Sequence, residues 1–401
     1  MAIHHISEYN LRDFPKQASP FVLNSFELLK LKAMVFGHMF KNVLAKTGNP
    51  FKAVKVIQQL RTKYQNVYGA VYLNKVAKVE DRLHWRLAAP GFPSKAINKR
   101  LENEINRLIP GQTRFGMQSI IFAITKKCRM NCEHCFEWDN LNKKDVLSTD
   151  DIIQTVIKYQ EYGTTQMMFS GGEPLLRIND IYKILEAVRK DITDFWIITS
   201  GLGLSAEVAA RLKTSGLTGV LISVDHHVPN EHDKFRGYES AFDNAMQAVC
   251  NANRAGLVTA FSLCARKEYV SNENLSAYMD LARNMGVSFV QIIEARAAGK
   301  YFGKEVKLDD ETVQLLEKYY TEYNSLNEFK DYPIINYFGY HQRRVGCFGA
   351  GNRFFYIDTD GNAQSCPVCA NKAGKVTDRS ADEIVDSLAK TACFDYEKTT
   401  L

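Results

Sequence analysis

The sequence predicts an α/β protein built around a parallel sheet covered by helices. Two observations carry the prediction. Six apolar runs of strand length recur between Met117 and Ala295, and they are nearly continuous in apolar residues rather than alternating, as strands buried on both faces are. Segments with helical spacing and cap signals separate them. Six such units build either an open barrel or a doubly wound sheet. In both, ligands bind at the C-terminal ends of the strands.

Taken in order, the region up to about Gly111 precedes this pattern. Val22 to Thr47 carries Phe26, Leu29, Val35, Phe36, Met39, Phe40, Val43 and Leu44 at helical spacing, and Gly48 supplies a stop. Asn49-Pro50 opens a second helix, Asn as cap and Pro in the first turn, with the stripe Val54, Ile57, Leu60 and Tyr64. Tyr68 to Leu87 alternates more and holds two strands, and Pro90-Gly91-Phe92-Pro93 is a turn. The repeating region then runs SIIFAIT (Ser119–Thr125), MMFS (Met167–Ser170), WIITS (Trp196–Ser200), VLISVD (Val220–Asp225), TAFSLCA (Thr259–Ala265) and FVQIIEA (Phe289–Ala295). Between these strands, Ser148 with Asp151 forms a capping box, a helix covers Ile181 to Arg189, Ser240 with Asp243 opens another, and Ser271 to Met285 is stopped by Gly286. Further on, Phe355 to Asn362 reads as a hairpin with an Asp-Gly turn, and Ser380 with Glu383 caps a last helix. The expected organisation is 1–116 as a mainly helical extension, 117–305 as the core and 306–401 as a small C-terminal domain.

Composition excludes several classes. Of 401 residues, 45% are hydrophobic and 24% charged, enough apolar material for a core and too little for disorder. No apolar run reaches the roughly 18–20 residues of a membrane span, and the start, MAIHHISEYN, lacks a basic segment leading into an apolar one. A cytoplasmic protein is expected. In that reducing setting nine cysteines point to metal binding or chemistry more than to disulfides. The charge is localised: Pro20 to Lys63 holds eight Lys and Arg against Glu27 alone, while the whole chain is only +6. This basic stretch, residues 20–63, reads as a solvated face, as a peripheral contact with anionic lipid, or as a dock for an acidic peptide or redox partner. Nucleic acid is not expected, because no binding module accompanies it.

The chemistry lies at strand ends. Cys128-Arg-Met-Asn-Cys132-Glu-His-Cys135 follows the first strand directly. Three thiolates at C-x3-C-x2-C spacing each hold one iron of a four-iron cluster and leave one iron open to an outside ligand. The competing reading is a zinc site completed by His134, which the adjacent position strains. The second strand ends in Ser170-Gly171-Gly172-Glu173-Pro174, where two glycines admit a close ligand and a carboxylate accepts from an ammonium. The fourth ends in Ser223-Val-Asp225, polar groups placed for a ribose. Near the C-terminus, Cys347, Gly361, Cys366 and Cys369 follow a C-x13-G-x4-C-x2-C pattern, with Cys393 beyond; a structural zinc knuckle competes there. Cys250 and Cys264 read as core residues. His226, His227, His232 and Asp233 read as an exposed loop.

The two strand-end motifs resemble those of the radical S-adenosylmethionine (SAM) enzymes, over roughly Met117 to Gly299. The resemblance implies a partial (β/α)6 TIM-like barrel. Cys128, Cys132 and Cys135 would ligate a [4Fe-4S] cluster that binds SAM. Gly171, Gly172 and Glu173 would hold the methionine amine, Ser223 and Asp225 would face the ribose, and His134 would contact adenine. A reduced cluster would cleave SAM to a 5′-deoxyadenosyl radical that abstracts hydrogen from an unactivated carbon. The C-terminal pattern resembles the SPASM or twitch extension, which implies one auxiliary [4Fe-4S] cluster on Cys347, Cys366, Cys369 and Cys393. The full SPASM pattern has more cysteines than this chain offers. A low-potential donor such as flavodoxin or ferredoxin would be the redox partner. The expected substrate is a ribosomal peptide, with a lipid or small metabolite as alternative, and a non-catalytic iron–sulfur or zinc protein as the reading of another class.

Overall fold

The computed structural model describes residues 21–68, 75–109, 111, 115–369 and 371–390. The chain runs β1 (Phe21–Val22), α1 (Ser25–Thr47), α2 (Pro50–Tyr68), β2 (Lys75–Val79), β3 (Arg82–His84), α3 (Lys95–Asn106), β4 (Ser119–Thr125), α4 (Thr149–Tyr162), β5 (Gln166–Gly171), α5 (Ile178–Ala187), β6 (Asp194–Thr199), α6 (Ala206–Thr214), β7 (Gly219–Ser223), α7 (Pro229–Arg236) and α8 (Ala241–Arg254). It continues with β8 (Val258–Ala265), α9 (Asn272–Asn284), β9 (Phe289–Glu294), α10 (Asp310–Ser325), β10 (Ile334–Tyr337), α11 (Phe338–Val345), β11 (Phe354–Ile357), β12 (Asn362–Gln364), β13 (Lys372–Lys375) and α12 (Ala381–Lys390).

Sequence signals set most of these boundaries. Gly48 ends α1 in the left-handed conformation, its N–H on Leu44 O. Asn49 Oδ1 takes the free N–H groups of Phe51 and Lys52 at the start of α2. Ser148 and Asp151 close a reciprocal capping box on α4, and Ser380 with Glu383 does the same for α12. Ser240 does not cap α8. It sits in the left-handed region without a side-chain bond, and Asp233 takes the N–H groups of Ser240 and Phe242 instead.

Among the described residues the main sheet has ten strands in the order β10-β9-β8-β7-β6-β5-β4-β11-β12-β13. The six expected strands are present and parallel. Two more parallel strands flank them, β10 beside β9 and β11 beside β4, and the β11–β12 hairpin then extends the sheet with β13. The strands between residues 334 and 375 are therefore woven into the same sheet as the core rather than set apart from it. Short runs such as IINY and FFYI, lacking a helical partner pattern, gave no signal of that pairing.

Side chains alternate along each strand. Ile120, Phe122, Phe169, Ile197, Val220 and Ile222 face the helices in the outer core. Met168, Trp196, Leu221, Ala260, Phe289 and Ile334 face inward. The N-terminal extension closes the inner layer from below: Leu87 and Val79 pack into it, Leu87 N–H and O meet Asn336 and Gln166, and Arg82 grips Asp194, the first residue of β6, with both carboxylate oxygens at 2.9 and 2.8 Å. Glu104 of α3 ties the segment before β11 to the segment before β4. It pairs with Arg353, just before β11, at 2.9 Å and accepts from Gln118, just before β4. Burial alone would raise the Glu104 carboxyl, but the Arg353 and Arg107 guanidiniums outweigh it and hold it at about 2. With the lower end plugged, the upper rim, at the C-terminal strand ends, is left for ligands.

Candidate active site

The loop after β4 carries Cys128, Cys132 and Cys135 to that upper rim. Its path is fixed by backbone contacts with the next strand end. Gly172 N–H donates to Thr125 O and Glu173 N–H to Lys127 O, both at 2.7 Å. Only glycine permits this approach: a Cβ on Gly172 would lie 2.2 Å from Lys127 O and 3.0 Å from Cys128 Cβ. Gly171, at φ 129°, would carry its Cβ to 2.3 Å from Thr125 O.

The C-terminal hairpin braces the other side of the loop. The Tyr356 hydroxyl of β11 donates to Glu137, two residues beyond Cys135, and Lys126 pairs with Asp360 at 2.5 Å. Burial, opposed by the Tyr356 bond, leaves the Glu137 carboxyl raised. A third brace, from α7, was not legible in the sequence. Asn131 N–H donates to Arg236 O and Glu133 N–H to Phe235 O, both at 3.0 Å. Arg236 Nη1 lies 3.5 Å from Cys132 Sγ. A lone arginine at the end of a short helix carries no local pattern that would have singled it out.

The remaining expected residues fall as follows. Glu173 is buried, and its carboxylate turns toward the end of β6. Oε1 accepts from Leu175 N–H and the Thr199 hydroxyl, and Oε2 from Ser200 N–H and the Ser200 hydroxyl at 2.8 and 2.5 Å. Burial raises its carboxyl against these bonds. Ser223 ends β7 half-buried, in register with Ser262. Asp225 is only 1% exposed. One oxygen accepts from Cys264 N–H at 2.9 Å and the carboxylate pairs with Arg236, so it faces a protein cation rather than open space. The His134 ring stacks on Phe235 at 4.9 Å and 11°. Burial lowers it to about 4, so the ring is neutral, and its Nδ1 is buried without a hydrogen-bond partner among the described residues.

Histidines 226, 227 and 232 are not an exposed loop. His232 lies on α7 at 1% exposure with Nδ1 accepting from Asp225 N–H, and His226 and His227 stack on each other against Tyr269. Cys250 and Cys264 are buried in apolar clusters, as expected of core residues.

Cys347, Cys366 and Cys369 occupy neighbouring loops. Ala350 N–H donates to Ser365 O, a Cβ on Gly349 would lie 2.5 Å from that same carbonyl, and Cys369 N–H donates to Cys366 O. Gly349 N–H points at Cys347 Sγ at 3.2 Å. Cys393 lies outside the described residues.

Among the described residues no three His, Cys, Asp or Glu side chains converge as the ligands of one ion do. A cluster asks for something different, thiols spread over separate irons. The N-terminal set fits that demand: three thiols on one loop, a glycine cradle beside them, and two buried orphan atoms nearby, His134 Nδ1 and Ser170 Oγ.

Comparison with known proteins agrees with this geometry. Residues 122–271 match the radical SAM superfamily model. Fe-coproporphyrin III synthase of Methanosarcina barkeri is 26% identical over 195 residues, 48% of this chain and 48% of that protein. Probable GTP 3′,8-cyclase of Methanococcus maripaludis is 32% identical over 187 residues, 46% of this chain and 61% of that protein. The chain thus spans about half to three-fifths of the length of these relatives. Streptococcus suis SuiB bound to precursor peptide SuiA shares the fold, with a TM-score of 0.56 at 14% identity over 84% of this chain and 78% of that one. Cysteine loop and glycine turn both fall inside the matched segment, and residues 122–271 carry a radical SAM domain.

Proposed function

We propose that the protein is a radical SAM enzyme that modifies a peptide. The observation that carries the reading is the three-thiol loop held against the Gly171-Gly172 turn at the open rim of the sheet. When bound, a [4Fe-4S] cluster and SAM supply a 5′-deoxyadenosyl radical that abstracts hydrogen from an unactivated carbon. Cys128, Cys132 and Cys135 hold the cluster. Burial pushes the metal-free Cys128 thiol up to about 11 and Cys135 up to about 12, so loading releases protons and is favoured by raising the pH. Gly171, Gly172 and Glu173 take the methionine end of SAM, the Thr199 and Ser200 hydroxyls yielding to its ammonium. Ser223 meets the ribose and neutral His134 the adenine, whereas Asp225 serves Arg236. Cys347, Cys366 and Cys369, with Cys393, hold one auxiliary [4Fe-4S] cluster, and a flavodoxin or ferredoxin delivers the electron.

The peptide reading is supported by the likeness, over most of this chain, to SuiB bound to its precursor peptide SuiA. Anaerobically reconstituted protein with dithionite and SAM tests the chemistry: 5′-deoxyadenosine accumulates, and Cys132→Ala forms none. A short peptide encoded beside the gene tests the substrate. A mass change after incubation supports the reading, and an unmodified peptide with turnover on a lipid overturns it.

One observation favours a second reading, action at a membrane surface. No helix among the described residues is long and apolar enough to cross a membrane. Yet α1 buries one stripe, Leu31, Met39 and Val43, and leaves another at helical spacing in the open, Phe26 at 75% and Leu29 at 66% exposure with Phe36. Lys30, Lys32 and Lys41 flank it, the composition of an interfacial helix. Sedimentation with vesicles of one-quarter phosphatidylserine tests it. Binding that salt and Leu29→Glu abolish supports this reading, and absence of binding at low salt ends it.

A further inference from the structure

The α7 end that braces the cysteine loop also brings a buried cation to it. Arg236 is 7% exposed. Its backbone and that of Phe235 hold residues 131 and 133. Gly237, at φ 58°, keeps the segment close, since a Cβ there would lie 2.7 Å from Asn131 O. Held this way, the guanidinium presents Nη1 to Cys132 Sγ at 3.5 Å and Nη2 to the Asp225 carboxylate. Its Nε is buried with no acceptor among the described residues. Cys128 Sγ, by contrast, is met by a neutral donor, Met130 N–H at 3.4 Å. Taking a guanidinium out of water is costly, and a buried ion pair alone is poor grounds for doing so. A donor aimed at a ligand sulfur gives the burial a purpose.

We infer that Arg236 sets how readily the cluster on Cys128, Cys132 and Cys135 accepts its electron, with Asp225 as the opposing charge. The inference rests on the proposed function above. Reduction transfers one electron from a low-potential donor, or from dithionite in the assay, to the cluster; no bond is made or broken. The added negative charge appears in a site of low dielectric, where a positive charge hydrogen-bonded to a ligating sulfur stabilises the reduced state. Asp225, paired with the far side of the same guanidinium, keeps that effect within bounds. Arg236 acts through Cys132 and is a positioning residue, not a catalytic one.

The test is an EPR-monitored redox titration of the SAM-responsive signal in full-length, anaerobically reconstituted protein. Arg236→Met makes reduction less favourable by about tenfold, the size of one charge-assisted hydrogen bond, which is about 59 mV for one electron. Asp225→Asn leaves the cation uncompensated and shifts the signal the opposite way. Arg236→Lys keeps the charge and stays within about threefold of the parent. Opposite shifts in the first two variants carry the inference. A loaded Arg236→Met protein with the parental midpoint overturns it, as do shifts of the same sign. If Arg236→Met takes up no iron, Asp225→Asn decides alone: easier reduction supports the inference, and any other result overturns it. A parent protein with no SAM-responsive signal overturns the proposed function itself, and is told apart by that.

Discussion

Gly172→Ala tests whether the glycine turn is what sets the cysteine loop in place. The added methyl carbon would sit 2.2 Å from Lys127 O, 2.7 Å from Lys127 C and 3.0 Å from Cys128 Cβ. The obstacle is backbone, which cannot swing aside as a flexible side-chain end can. To restore an ordinary contact, the Lys127 carbonyl must retreat by about 1 Å. That movement strains two backbone hydrogen bonds, Gly172 N–H to Thr125 O and Glu173 N–H to Lys127 O. Overpacking costs about 1–3 kcal/mol and each of the two weakened bonds adds about 1 kcal/mol, so roughly 3–5 kcal/mol is expected. Because Cys128 follows Lys127 directly, the displacement also reaches the thiol. Two assays follow. Urea unfolding of the metal-free protein reads the stability, and iron per chain after reconstitution reads the site. The reasoning is refuted if Gly172→Ala unfolds within about 0.5 kcal/mol of the parent and takes up the same iron.

Three further outcomes are expected. Glu104→Gln removes the carboxylate shared by Arg353 and Arg107 and lowers stability by about 3–5 kcal/mol at neutral pH, read by denaturant unfolding. Glu104 is held at about 2 in the fold against 4.5 outside it, so its contribution is complete above about pH 4.5 and is lost as the pH falls toward 2, about 3 kcal/mol in all; the variant loses less stability over that window. Leu87→Ala empties part of the plug beneath the inner layer and costs about 2–5 kcal/mol in the same assay. Cys366→Ser lowers iron from about eight to about four atoms per chain while 5′-deoxyadenosine formation persists, measured by iron assay and chromatography; an unchanged iron count removes the auxiliary cluster.

The six core strands were readable because each is a buried apolar run, and the C-x3-C-x2-C and Gly-Gly-Glu-Pro motifs are local in sequence. What was hidden is non-local. Tyr356 reaches Glu137, Arg236 reaches Cys132 and Arg82 reaches Asp194, each across a long stretch of chain with no shared period or spacing. Asp225 was read as a ribose contact because strand ends point at ligands; its partner is a cation that only the folded α7 brings near. Likewise Asp233, not Ser240, caps α8, because the chain before the helix doubles back. Short strands such as β10, at the sheet edge, and β11, between β4 and β12, are too short for pattern alone, and acquire their identity from the neighbours they join.

The pairing of β11 with β4 also has a bearing on biosynthesis. β4 is made early, but the partner for its free edge emerges about 230 residues later, roughly 10–45 s at ~5–20 residues per second. During that interval the nascent chain presents an apolar strand edge of the kind that recruits other strands. Chains cut short before Phe354 keep that edge open permanently, so premature termination should give aggregates rather than a smaller soluble barrel.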